Sequence, residues 1–442
     1  MKTIKMAFFA IVLLSVAALQ GCGGSGSGSA SGGTASIVTI RYVNGLYYRV
    51  DIDMSAGNHY EIGRQYALQI QYSVPGYESL VDSVIQATLQ ALEEAGIDFN
   101  ELNRRAHIIY GNIPTDYQLE IQGMQSVFSS TDDTVGNGRL SQNKLLIFHL
   151  AADIARVLSC SASAAFGSGS TTGETIVGRN LEWSDYTLPF LSSLEATVML
   201  HNGSKSVVLF GFVGQICAIS GFNASKVFAA VLDSDVVWPY VLLGGERSYV
   251  MDVRYALENQ TTLQGVAAFM TGKDYAYTFN VILADPNTAA VFEDDPTEGF
   301  SGLRTATSTL KTGTAVPIPA WNFSNAICVV NWFTLPGTSD NSDFWNGNLD
   351  RWNSFITLYT NAFAGGGTVN IGVMKQITGY PGAHSTGKAS DGAIWRYNDE
   401  NESVVQSIVM NMNTLETWVS FQPQGQALHS PNYIQVFSGN PF

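Results

Sequence analysis

Positive charge is scarce in this sequence. Its 22 Lys and Arg are outnumbered by 37 Asp and Glu, for a formal net charge of -15. Such an acidic surface speaks against nucleic acid as a partner and against electrostatic docking on anionic lipid. Cysteine is nearly absent, with four residues, and no set of Cys and His has zinc-ligand spacing. The histidines are scattered. His59, His107 and His149 share no metal-ligand spacing, and His201, His384 and His429 sit in no papain-like context, which weakens a conventional His-dependent cysteine protease. Long apolar runs are missing too: the one from Met6 to Leu19 is too short to span a bilayer comfortably as a permanent helix. The Gly- and Ser-rich run 167–173 is no phosphate loop, since it lacks a terminal Gly-Lys-Ser/Thr, and no G-x-S-x-G elbow accompanies it.

Apolar mass is what the sequence has. Hydrophobic residues fill 45% of 442 positions, enough for one large domain or two ordinary ones. The 43 Gly and 13 Pro suit many strands and turns. Lys2 and Lys5 ahead of the short apolar run give the pattern of a secretory signal over residues 1–21. Leu19-Gln20-Gly21-Cys22 resembles the lipobox of bacterial lipoproteins, in which the cysteine becomes lipid-modified and N-terminal, so Cys22 is the expected lipidation site. Residues 22–36, almost all Gly, Ser and Ala, read as a flexible tether. The expected location is the bacterial cell envelope, with membrane contact through the lipid anchor only.

Residues 37–159 read as a helical lead-in. Alternation from Ile37 to Ile52 around Asn44-Gly45 predicts a hairpin. Ile62, Tyr66 and Ile70, then Leu80, Val84, Ile85, Leu89 and Leu92, recur at helical spacing, and Gly96 ends that run. Leu119 to Phe128 and Asn143 to Leu158 predict further helices.

Cys160 follows, in Cys160-Ser161-Ala162-Ser163-Ala164-Ala165-Phe166-Gly167. A Gly/Ser turn leads on to Gly178-Arg179-Asn180-Leu181-Glu182-Trp183. The pattern is strand, turn, strand, with Cys160 at the head of the first strand. Taken alone, Cys160 reads as well as a buried cysteine in a small-residue strand. Together, the two blocks resemble the start of the mature chain in acyl-coenzyme A:6-aminopenicillanic acid acyltransferase-like proteins. These are N-terminal-nucleophile (Ntn) cysteine hydrolases of linear amides, related to choloylglycine hydrolases and acid ceramidase. That family usually has Thr where this chain has Ser161, and Asp where it has Glu182. Upstream, His59 to Tyr66 and Leu119 to Met124 resemble the family's propeptide pattern. Downstream, Gly221-Phe222-Asn223, Ala289 to Glu293, Val330-Asn331-Trp332-Phe333 and Asp350-Arg351-Trp352 resemble later family segments.

The resemblance implies an α+β fold, a four-layer αββα Ntn-hydrolase sandwich over residues 160–442 behind the lead-in. It also implies a cut between Ser159 and Cys160, made by the Cys160 thiol itself. The freed α-amino group, with a reference pKa of about 7.7–8.0, then suits a general base. Arg179, helped by Arg351, is implied to favour the thiolate, Glu182 to hold the α-ammonium, Asn223 to donate to the oxyanion and Asn331 to orient the amine. Trp183 and Trp332 are assigned to an apolar acyl pocket, with Trp238, Trp321, Trp345 and Trp352 near the same segments. Cys217 and Cys328 lie in apolar runs, as core thiols or as a disulfide pair. No cofactor and no metal enter this reading. The expected activity is hydrolysis of a small-molecule N-acyl amide through an acyl-enzyme. The alternatives are acyl transfer from the same intermediate, or a non-enzymatic binding lipoprotein on the same scaffold. A homo-oligomer stays open.

Overall fold

The alternating segment 38–53 folds as foreseen. Strands β1 (Val38–Val43) and β2 (Tyr47–Asp53) pair antiparallel across a turn. Asn44 and Gly45 take positive φ there, 52° and 70°, as a tight hairpin requires. The computed structural model describes residues 36–156, 158–234, 242, 244–341, 347–397, 402–423 and 428–442. The signal segment, Cys22, the tether before Ser36, Trp238 and Trp345 lie outside them.

Helices α1 (His59–Ser73), α2 (Tyr77–Ala91), α3 (Phe99–Tyr110), α4 (Thr115–Val127), α5 (Gln142–His149) and α6 (Ala151–Ile154) complete the lead-in. Two of them correct the sequence reading. The α3 helix is an addition, although Asp98 caps it by accepting from the Glu101 N–H and Leu102, Ala106 and Ile109 form its buried stripe. The helix expected to run to Leu158 ends at Ile154 instead, because strand β3 (Leu158–Ala165) begins there and pairs Leu158 with Trp183. Cys160 is therefore inside β3, not at its head. Gly63 on α1 and Gly123 on α4 explain the two upstream motifs. A Cβ at either would lie 2.0 Å from a backbone oxygen of the other helix, so only glycine lets these helices touch.

After β3 come β4 (Ile176–Ser184), α7 (Leu188–Leu191), β5 (Glu195–His201), β6 (Val207–Phe212), β7 (Ser220–Asn223) and β8 (Phe228–Asp233). Helices α8 (Tyr249–Asn259) and α9 (Leu263–Met270) precede β9 (Phe279–Ala284), β10 (Ala289–Asp295), β11 (Phe300–Arg304) and β12 (Ala326–Val329). The chain ends with α10 (Asn348–Phe363), α11 (Ile371–Thr378), β13 (Glu402–Asn411), β14 (Thr417–Phe421) and β15 (Ile434–Phe437).

Nine strands form one sheet, in the order β1-β2-β5-β6-β7-β8-β9-β10-β11, and six form the other, β12-β3-β4-β13-β14-β15. All these pairings are antiparallel except β2 with β5. The sheets meet where β3 packs on β8 and β9, α8 covers the larger sheet, and α10 and α11 cover the smaller. The fold is an α+β sandwich with αββα layering. The lead-in's hairpin is part of the larger sheet, and its helices share one apolar core with the strands.

Strand alternation sorts β3 and β4 onto two faces. Cys160, Ala162, Ala164, Val177, Leu181 and Trp183 point into the main core. Ala165, Ile176 and Cys328 belong instead to a second cluster under α10 and α11. Gly178 lies on that outer side, where a Cβ would meet the Thr378 and Met374 side chains at 2.5 and 2.8 Å.

Candidate active site

Antiparallel register sets Ala162 opposite Arg179 and Cys160 opposite Leu181. Cys160 and Arg179 therefore share the inner face of the smaller sheet. Nη2 of Arg179 donates to Cys160 Sγ at 3.2 Å and to the Val231 carbonyl of β8 at 3.0 Å, tying the two sheets at the sulfur. Nε and Nη1 of Arg179 meet no partner among the described residues. Both residues are fully buried. Burial pushes the Cys160 thiol up to about 11, while the Arg179 guanidinium pulls it back. Burial likewise lowers Arg179. A thiol raised this far is protonated near neutral pH and would need a proton acceptor to become a thiolate.

Asn331 meets Cys160 from the other side. Its Oδ1 accepts the Cys160 backbone N–H at 3.1 Å, the Ser159 hydroxyl at 3.0 Å and Nη2 of Arg351 at 2.7 Å. Its Nδ2 donates to the Asp233 carbonyl at 2.6 Å. Arg351, one turn into α10, also donates through Nη1 to the Cys160 carbonyl at 3.2 Å. Asn348 accepts the Asn331 N–H at 3.1 Å and Nη2 of Arg351 at 2.7 Å, holding both. Arg351 thus grips backbone and Asn331, not the sulfur.

Glu182 stands three residues from Arg179, so the pleat turns it to the opposite face of the sheet. There its carboxylate accepts from Nη1 of Arg351 at 3.2 Å and Nη1 of Arg396 at 2.8 Å. Arg396 in turn pairs with Glu402 at 2.8 Å. The Cys160 nitrogen is served by Asn331, and among the described residues the Glu182 carboxylate joins that network through Arg351.

Asn223 is not brought to Cys160. Its amide donates to the Leu257 and Gln260 carbonyls, each at 2.8 Å, and its Oδ1 accepts the Val227 N–H at 2.9 Å. It joins the β7–β8 turn to the end of α8. Trp183 and Trp332 lie in separate places: Trp183 packs in the main core edge-on to Phe212, and Trp332 in the second cluster, with Trp352 and beside Trp321. Cys217 and Cys328 are free thiols in different apolar clusters, so no disulfide links them.

Sequence reasoning missed four groups: Asn348, Arg396, Asp233 and Arg156. Asn348 carried a local signal, one helical turn before Arg351. Arg156 stands four residues before Cys160. Arg396 and Asp233 carried none, since their partners lie far away in the chain.

No family model matches the sequence, and no curated protein matches it. Solved structures do show likeness. An N-acylethanolamine-hydrolyzing acid amidase ortholog from Caenorhabditis elegans is 13% identical, covers 57% of this chain and 93% of its own, and gives a TM-score of 0.38. A mutant conjugated bile acid hydrolase from Clostridium perfringens is 11% identical over 63% and 92%, with a TM-score of 0.36. Penicillin V acylase from Agrobacterium tumefaciens is 12% identical over 63% and 86%, also with a TM-score of 0.36. At these scores the likenesses carry no argument about the reaction, which rests on the geometry around Cys160.

Proposed function

We propose that this chain is a self-processing cysteine amidohydrolase that cleaves linear, non-peptide N-acyl bonds through an acyl-enzyme on Cys160. The observation that carries the reading is the convergence on one residue. Arg179 addresses the Cys160 sulfur, Asn331 its nitrogen and Arg351 its carbonyl. A structural cysteine in a β-strand needs none of these polar partners beyond the ladder.

In processing, Sγ attacks the Ser159 carbonyl carbon and the 159–160 C–N bond breaks. The proton goes to the Cys160 nitrogen, and water hydrolyses the resulting thioester to a Ser159 carboxylate. The freed amine, held by Asn331, then takes the thiol proton when Sγ attacks a substrate amide. It returns that proton to the departing amine. Water attacks the acyl-enzyme and releases the acid. Arg179 stabilises the thiolate, and its Nε and Nη1, without a partner among the described residues, are free to donate to developing negative charge. Lipidation at Cys22 would hold this enzyme at the cell envelope, facing water, which favours hydrolysis over acyl transfer.

Intact masses under denaturing conditions test the reading. Wild type should give two chains divided at 159/160, and Cys160→Ala one uncut chain. A wild type that stays whole, with no amine released from a panel of N-acyl amides, would sink it.

A further inference from the structure

Arg156, four residues before the nucleophile, fills a closed cage. Its side chain is 2% exposed. Nη2 donates to Asp233 Oδ1 at 2.9 Å, the Ser234 carbonyl at 3.2 Å and Thr278 Oγ1 at 3.5 Å, and Nε donates to Asp233 Oδ2 at 3.3 Å. The guanidinium carbon stands 4.7 Å from the centre of the Tyr277 ring, within cation–π range. Carboxylate, carbonyl, hydroxyl and aromatic face together make a receptor for a planar cation. Asp233 ends β8, and its own carbonyl anchors the Asn331 that holds the Cys160 nitrogen. The cage is thus one residue removed from the reacting atoms.

The occupant belongs to the segment on the acyl side of the 159–160 bond. Arg156 adopts a left-handed backbone, φ 49°, a conformation that residues other than glycine seldom take. It stands three positions before Ser159, at most about 10 Å of extended chain. We propose that the cut releases the segment 156–159 and that the vacated cage then binds a cationic group, guanidinium or ammonium, at the far end of a substrate's acyl chain. The proposal rests on the amidohydrolase reading and specifies its substrate class. In the first turnover the chain's own Arg156-Val157-Leu158-Ser159 plays the part of that acyl group. Once Arg156 leaves, Asp233 is a buried carboxylate without its cation, a costly state that a cationic ligand relieves.

The test compares 6-guanidinohexanoyl and heptanoyl p-nitroanilides on the processed enzyme. The cationic substrate should have the higher kcat/KM, by at least about tenfold, the scale of one charge-assisted hydrogen bond. Asp233→Asn should bring the ratio close to one. Equal values in wild type, or preference for the neutral amide, overturn the cage while leaving amide hydrolysis standing. If neither amide is turned over, the amidohydrolase reading has failed on its own, and binding decides the cage. The full chain carrying Arg156→Ala, whose cage is empty without any cut, should bind 6-guanidinohexanoate at least about tenfold more tightly than heptanoate. Equal binding of the two acids overturns the proposal.

Discussion

Two buried arginine clusters differ in how fully they are satisfied. At the junction of α4 and α8, Arg254 has a partner for every guanidinium nitrogen. Nη1 and Nη2 grip Glu120 at 2.6 and 2.9 Å, Nε meets Glu258 at 2.8 Å, and Nη1 also reaches the Ile216 carbonyl. His59 adds a bond to Glu120 at 2.7 Å, and the Tyr117 ring stacks on the guanidinium at 4.1 Å. Around Cys160, Arg179 addresses a sulfur, Arg351 and Arg396 share the carboxylate of Glu182, and Arg396 also pairs with Glu402. Nε and Nη1 of Arg179 and Nε of Arg351 have no partner among the described residues. A saturated cluster holds elements together. One with idle buried donors costs stability and is suited to an anion that appears only during a reaction.

Exchanging the two central arginines for Met should separate these roles. Arg179→Met should lower hydrolysis by about 10²–10³, the usual cost of a donor at developing charge, with a thermal midpoint no lower than wild type. A fall in midpoint comparable to that of the other variant would make Arg179 structural. Arg254→Met leaves Glu120 buried without its main partner and should destabilise by about 3–5 kcal/mol in denaturant unfolding. Amide hydrolysis at low temperature should survive. Asn348→Ala should lower kcat by about tenfold with KM little changed, because it frees Asn331 and Arg351 without touching substrate. Asn348→Asp, which keeps the acceptor oxygen, should recover most of the loss.

The smallest effect concerns His59. Its hydrogen bond to Glu120 raises its pKa above the ordinary value. The resulting stabilisation is complete below the unfolded pKa and fades as pH rises through the folded one. The midpoint gap between wild type and His59→Gln should therefore be larger at about pH 5.5 than at about pH 8.5. An equal gap at both would show that His59 contributes only packing.

Much of the site was legible locally. Cys160 and Arg179 fall at positions of one hairpin whose register sets them on one face, and Asn331 and Arg351 came in their expected order. The parity of β4 was legible too: residues 179 and 182 cannot both face the sulfur in a regular strand. Matching Glu182 to the amine overlooked that. Asn223 was misplaced because a lone Asn after Gly-Phe serves a turn as readily as an oxyanion. Helix α3 was missed despite its Asp98 cap. Strand β5 reads as a strand only once β2 and β6 flank it.

The sequence by itself determined the Cys160 block, the hairpin that carries it, and the glycines at 63 and 123 where two helix backbones pass closely. These depend on neighbours a few residues apart, where steric and pleat rules act directly. Only the tertiary structure decided that Asn331, 171 residues from Cys160, holds its nitrogen, that Arg351 and Arg396 claim Glu182, and that Arg156 is caged by Asp233. Those contacts follow from strand order and from two sheets closing face to face, and no spacing along the chain encodes which distant side chains then meet.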